Sequence, residues 1–116
     1  MSEQGAGAEV ERHASCTRLR PERREEYLRL HAAVWPEVEQ TLVAAGIRNY
    51  SIFLYEDLLF SYYEYVGPDH AAAQAQIAAD PATQRWWELT DPCQERLRGT
   101  PEGEQWLPLQ EIWHLS

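Results

Sequence analysis

The sequence predicts an α+β domain with the element order β, α, β, β, α, β, on three observations. Larger or apolar residues recur at helical spacing after Pro21, at Tyr27, Leu30, His31, Val34, Val38, Leu42 and Ala45. Two runs dense in aromatic and β-branched residues, Asn49–Tyr55 and Leu58–Val66, are separated only by Glu56-Asp57 and read as an antiparallel hairpin. An alanine-rich stretch, His70–Ala79, follows the turn and N-cap signal Gly67-Pro68-Asp69.

The elements follow in order. Residues 1–11 are small and acidic without a period and read as a loose tail, leaving 12–116 as one domain. His13–Leu19 is the first candidate strand, polar for a central one. Pro21 then offers a helix N1 position, where a missing N–H does no harm. Pro36 cannot donate to the Ala32 carbonyl and disfavours helical geometry at Trp35, so the helix breaks between His31 and Pro36 and restarts at Trp35-Pro36-Glu37. Gly46 closes that second half as the C′ residue. After the hairpin and the alanine-rich helix, Pro81–Leu97 reads as a helical stretch interrupted at Pro92. Gly99–Gly103 is a loop and Leu109–Leu115 a last strand. This is the ferredoxin-like plan, a four-stranded antiparallel sheet with its helices on one face. The other face carries aromatic and aliphatic residues, and a sheet-to-sheet homodimer is its simplest cover.

Ten Lys and Arg against nineteen Asp and Glu leave a net charge of −9. A field of that sign repels nucleic-acid phosphates and anionic lipid surfaces, so neither is an expected partner. No apolar run approaches the roughly 20 residues of a membrane span, and Met1–Glu11 lacks the basic and apolar regions of a secretion signal. The expected location is the cytoplasm. Cys16 and Cys93, the only cysteines, stand in no metal-binding or disulfide pattern and read as packed thiols.

No glycine-rich phosphate loop, no H-E-x-x-H and no G-x-S-x-G elbow is present, so neither a cofactor nor a metal is expected. The positive signals centre on the kinked helix. Tyr27 and His31 lie four residues apart and project from one face, placing a phenol beside an imidazole suited to proton transfer. The same spacing also suits two packing residues, which by itself it favours. Trp86-Trp87 is the second anomaly, since adjacent indoles on a helix diverge by about 100° and cannot share one core. One of them faces a cavity or a partner. Tyr50, Ile52 and Leu54 share one strand face and Tyr63 and Tyr65 another, offering hydroxyl-tipped aromatics to a polyhydroxylated ligand or ordinary cross-strand pairs. His13, His70 and His114 read as surface or sheet residues.

Tyr27, His31, Trp35-Pro36-Glu37, Gly46, Asn49-Tyr50, Leu58-Leu59-Phe60, Gln84-Arg85-Trp86-Trp87 and Thr90-Asp91 resemble the L-rhamnose mutarotase family in type and spacing, from about Arg12 to Leu115. The resemblance implies a homodimeric, barrel-like α+β protein that interconverts the anomers of a small neutral sugar by acid-base chemistry without a cofactor. It also implies that His31 is the proton donor and that Tyr27, Tyr50, Trp86 and Trp87 bind the sugar. Ala32-Ala33 stands where the family commonly has Asn-Pro. That departure and the aromatic richness keep three alternatives in view: a mutarotase for another sugar, a cofactor-free monooxygenase or cyclase on the same dimeric plan, and a dimeric binding module without catalysis.

Overall fold

The computed structural model describes residues 10–116; most of the expected tail lies outside them. Strand β1 (Glu11–Leu19) is followed by a single 3-10 turn, Pro21–Arg23, then helices α1 (Arg24–His31) and α2 (Pro36–Ala44). The hairpin is β2 (Ile47–Tyr55) and β3 (Leu58–Tyr65), followed by α3 (His70–Ala78) and α4 (Pro81–Thr90). A 3-10 turn at Asp91–Cys93 leads into two short strands, β4 (Gln94–Glu95) and β5 (Leu107–Leu109). Glu11, placed in the tail by the sequence, is the first residue of β1 and pairs with Tyr65.

The sheet order is β2-β3-β1-β4, entirely antiparallel, with β5 also pairing β1. This is the ferredoxin-like arrangement. Proline dictates the break between α1 and α2: Trp35 is extended (ψ 131°) and Pro36 opens α2. Asp69 and Asp80 cap α3 and α4, each accepting from the backbone N–H three residues on.

Two expectations are corrected. Residues 94–97 are not helical, because after the proline at 92 the chain straightens and Gln94 and Glu95 pair with Leu19 and Arg18 at the edge of β1. The last strand is Leu107–Leu109 rather than Leu109–Leu115. Beyond Leu109 a bidentate ion pair takes over from the ladder, with Arg12 Nε and Nη2 donating to the two carboxylate oxygens of Glu111 at 2.9 and 3.2 Å.

The fourth strand is therefore one edge strand in two pieces. Glu95 lies opposite Arg18 and Leu107 opposite Cys16, so the loop between them leaves only Thr17 without a partner on that edge. The fully buried Thr17 hydroxyl shares its proton between the carbonyls of Gln105 (3.1 Å) and Glu95 (3.3 Å), joining the two ends of the gap. Arg96 holds the loop from within, donating to the carbonyls of Thr100, Pro101 and Glu104.

The helices cover the sheet face bearing Thr17, Leu19, Leu59, Ser61, Tyr65 and Ile47, all buried. Its apolar interior forms two clusters. Ala45, Ile47, Tyr65, Ala73 and Ile77 fill one end, and Leu19, Tyr27, Leu59 and Cys93 the other. Between them lies a polar band in which the hydroxyls of Ser15 and Ser61 bond to each other across β1 and β3.

Gly46 ends α2 at φ 100°, and a Cβ there would stand 2.5 Å from the Val66 carbonyl oxygen. Gly46→Ala is expected to cost more than about 1 kcal/mol, read as a lowered urea midpoint. The Thr83 hydroxyl and backbone N–H hold the Asp80 carboxyl below its ordinary value. A depressed carboxylate stabilises above its unfolded pKa and loses that stabilisation as pH falls through the folded one. Asp80→Ala should therefore lower the melting temperature at pH 7, and the difference from wild type should shrink as acid protonates Asp80.

Candidate active site

The α1 spacing of Tyr27 and His31 becomes direct contact, with ring centroids 4.3 Å apart. Imidazole Nδ1 lies 3.0 Å from the Tyr27 backbone carbonyl. A carbonyl can only accept, so Nδ1 carries the hydrogen of the neutral ring and Nε2 is the nitrogen left to exchange protons. The edge of Trp86 stands against His31 at 5.4 Å, and Trp35 packs against Trp86 at 5.2 Å. The helix break serves this cluster: with α1 ending at His31 and α2 starting at Pro36, Trp35 leaves the helical path and reaches the α4 indole.

Tyr27 is buried, and its hydroxyl accepts a 3.1 Å hydrogen bond from Gln94 Nε2. Burial raises the phenol pKa well above the ordinary tyrosine value, with the Gln94 bond opposing it only in part. The group stays a neutral O–H donor at any physiological pH. Gln94 is also buried, and its Oε1 has no hydrogen-bond partner among the described residues. Gln94 carries no local signal, because it reaches Tyr27 only through the pairing of β4 with β1.

Tyr50 faces the same interior from β2 because of a bulge. The pairing advances from Arg48↔Glu64 to Ser51↔Tyr62, three residues on β2 against two on β3, with Asn49 at φ 52° and its side chain donating to Glu64 at 2.8 Å. Asparagine tolerates that left-handed backbone better than most residues. The bulge lets both Ile47 and the series Tyr50, Ile52, Leu54 face the helices, which uninterrupted alternation forbids. Tyr50 is 43% exposed as a residue, yet its hydroxyl end is surrounded by protein and burial raises its pKa. Its ring meets Tyr63 at 5.4 Å.

The structure thus brings Tyr27, His31 and Trp86 into one cluster and sets Tyr50 on the sheet face that the helices cover. Trp87 diverges from its neighbour as helical geometry requires: Trp86 is buried and Trp87 is 38% exposed. A second polar cluster lies farther along the sheet, where His13, Tyr63 and His70 stack and Glu11 bonds to His13. His13 and His70, expected as surface or sheet residues, lie 57 positions apart in the chain and meet only through the fold, and Glu11 joins them from the same face of β1. Among the described residues no helix is long and apolar enough to cross a membrane.

The comparisons agree with this architecture. Residues 12–115 match the family model described as L-rhamnose mutarotase. An L-rhamnose mutarotase of Listeria monocytogenes serotype 4b is 37% identical over 110 residues, covering 92% of this chain and 100% of the relative. One from Shigella flexneri is 33% identical, covering 90% and 97%. Among solved structures, the L-rhamnose mutarotase FA22100 of Formosa agariphila superposes with a TM-score of 0.68 at 26% identity, covering 91% of this chain and 99% of its own. Tetracenomycin F2 cyclase of Streptomyces glaucescens, a type-II polyketide cyclase, shares the fold at a TM-score of 0.64 and 18% identity, over 91% and 99% of the two chains. With its polar aromatic interior and a family match spanning nearly its whole length, the chain belongs to the L-rhamnose mutarotase family.

Proposed function

We propose that this chain interconverts the α and β anomers of L-rhamnose, with His31 moving the proton and Tyr27, Tyr50, Trp86 and Trp87 holding the sugar. The observation that carries this reading is the His31 imidazole, anchored through Nδ1 on the Tyr27 carbonyl and flanked by a phenol and an indole. The reaction needs little more. A proton leaves the anomeric hydroxyl, the bond from the anomeric carbon to the ring oxygen breaks, and the ring oxygen takes up a proton. The open-chain aldehyde turns about its first carbon–carbon bond and recloses on its other face by the reverse steps. One positioned acid-base group supplies about 10² to 10⁴-fold in such a reaction.

Nε2 of His31 gives a proton as imidazolium and takes one as imidazole. The neutral Tyr27 phenol, its oxygen already accepting from Gln94, directs its own O–H to a sugar oxygen or a bridging water. Trp86, and Trp87 from its exposed position, supply apolar walls for the C–H faces and methyl group of a deoxy-sugar. A neutral substrate meets no repulsion from a chain of net charge −9. We place the reaction in the cytoplasm, where the free thiols of Cys16 and Cys93 are chemically at home.

We further propose that two copies assemble through the sheet faces the helices leave open. Phe53 and Tyr55 of that face are 60% and 65% exposed, and the C-terminal Ile112 and Trp113 are 90% and 75% exposed. Their combined apolar surface is the kind that a second copy covers.

His31→Ala is expected to slow anomeric exchange of L-rhamnose by about 10² to 10⁴-fold, measured by proton NMR saturation transfer, while the circular dichroism spectrum is retained; full activity would overturn the assignment. Phe53→Glu should shift the protein from dimer to monomer in sedimentation equilibrium. A wild-type protein that stays monomeric at all concentrations would refute the dimer.

A further inference from the structure

Glu11, His13 and His70 come from the first residues of β1 and the first turn of α3, and only the fold brings them together. The two imidazoles stack with centroids 3.9 Å apart and planes 10° from parallel. Glu11 Oε1 lies 3.1 Å from His13 Nε2, and one ligand atom from each of the three residues lies within 4.8 Å of the others. From this geometry we infer that Glu11, His13 and His70 form a binding site for a late first-row divalent cation such as zinc, separate from the proton-transfer cluster at His31.

Three arguments support it. The donor set is right in kind: two imidazoles and one carboxylate suit zinc and its neighbours, whereas calcium and magnesium select oxygen donors. The set is also supported from behind. Tyr63 accepts from Gln74 Nε2 at 3.3 Å and, in the tautomer that ligates, from the His70 Nε2–H at 2.7 Å, which leaves Nδ1 for the ion and fixes the His70 ring as outer partners fix ligating imidazoles. Finally, the stacking of the two imidazoles beside the Glu11 carboxylate already holds all three donors within reach of one ion. The N-terminal end of α3 alone would disfavour a cation, and the carboxylates of Glu11 and the cap residue Asp69 oppose that effect.

Ligand atoms around a tetrahedral zinc stand about 3.3 Å apart, so the longest separation here must close by at most about 1.5 Å. Tilting the half-buried His13 ring out of the stack and swinging the exposed Glu11 carboxylate achieve this without moving β1 or α3. A bound ion would then tie the start of β1 to the start of α3.

The test uses the full chain without an affinity tag, stripped with chelator and titrated with zinc chloride in a calorimeter. The expected result is one ion per chain and a higher melting temperature with zinc. His13→Ala and His70→Ala should each weaken binding by more than about tenfold, and Glu11→Gln should weaken it less. His114→Ala, the control imidazole, should leave binding intact. His70→Gln serves as a second variant if loss of the Tyr63 contact unfolds the alanine protein. A cobalt titration should give visible d–d bands without the intense near-ultraviolet bands of thiolate ligation, which separates this site from Cys16 and Cys93. Failure to bind zinc, unchanged affinity in the His13 and His70 variants, or thiolate bands would each overturn the proposal. Anomeric exchange in the same variants reports separately on the sugar reaction and should match wild type.

Discussion

A strand shows alternate residues to opposite faces, and that parity is the constraint on which the interior depends. Without the extra residue between Arg48 and Ser51, β2 could aim Ile47 at the helices, or it could aim Tyr50, Ile52 and Leu54 there, but not all of them. Asn49, held at φ 52° and bonded to Glu64, lets one strand serve both the Ile47–Tyr65 cluster and the candidate site. The two apolar clusters occupy the ends of the covered face with the Ser15–Ser61 pair between them, and Tyr27 joins one of them to the candidate site at His31. A bulge beside a functional site is a recurrent device for re-aiming a side chain.

Much of the fold was legible because it is encoded locally. The proline at 36, the asparate cap at 69 and the glycine at 46 each act within a few residues, and all three elements end or begin where their chemistry requires. The hairpin runs were equally plain from their aromatic density. The fourth strand was not, since two and three residues of edge pairing carry no period, and their partners on β1 lie 75 to 95 positions away in the chain. Residues 94–97 continue a helical pattern by composition, and the proline at 92 together with the pairing of Gln94 and Glu95 to β1 overrides it.

The site divides along the same line. Tyr27 and His31 share a helix face and could be matched by spacing, and the paired indoles announced themselves by their impossibility as joint core residues. Gln94, the Ser15–Ser61 pair and the grouping of Glu11 with His13 and His70 depend on contacts between distant segments. Fold alone would not have separated the chemistries, because a polyketide cyclase has the same architecture at 18% identity. The reading of this interior rests instead on its own side chains, a neutral, deeply buried phenol next to an imidazole with one nitrogen already engaged.

The break in the fourth strand has an evolutionary consequence. Because Thr17 clamps both ends of the gap and Arg96 organises what lies between, the sheet never senses how long the connecting segment is. Closing a flexible loop becomes costlier only with the logarithm of its length. The segment between Arg96 and Gln105 is therefore where this architecture can gain stretches of chain, and where a fused peptide or reporter could be carried, while the hydroxyl of a single buried threonine keeps the edge in register.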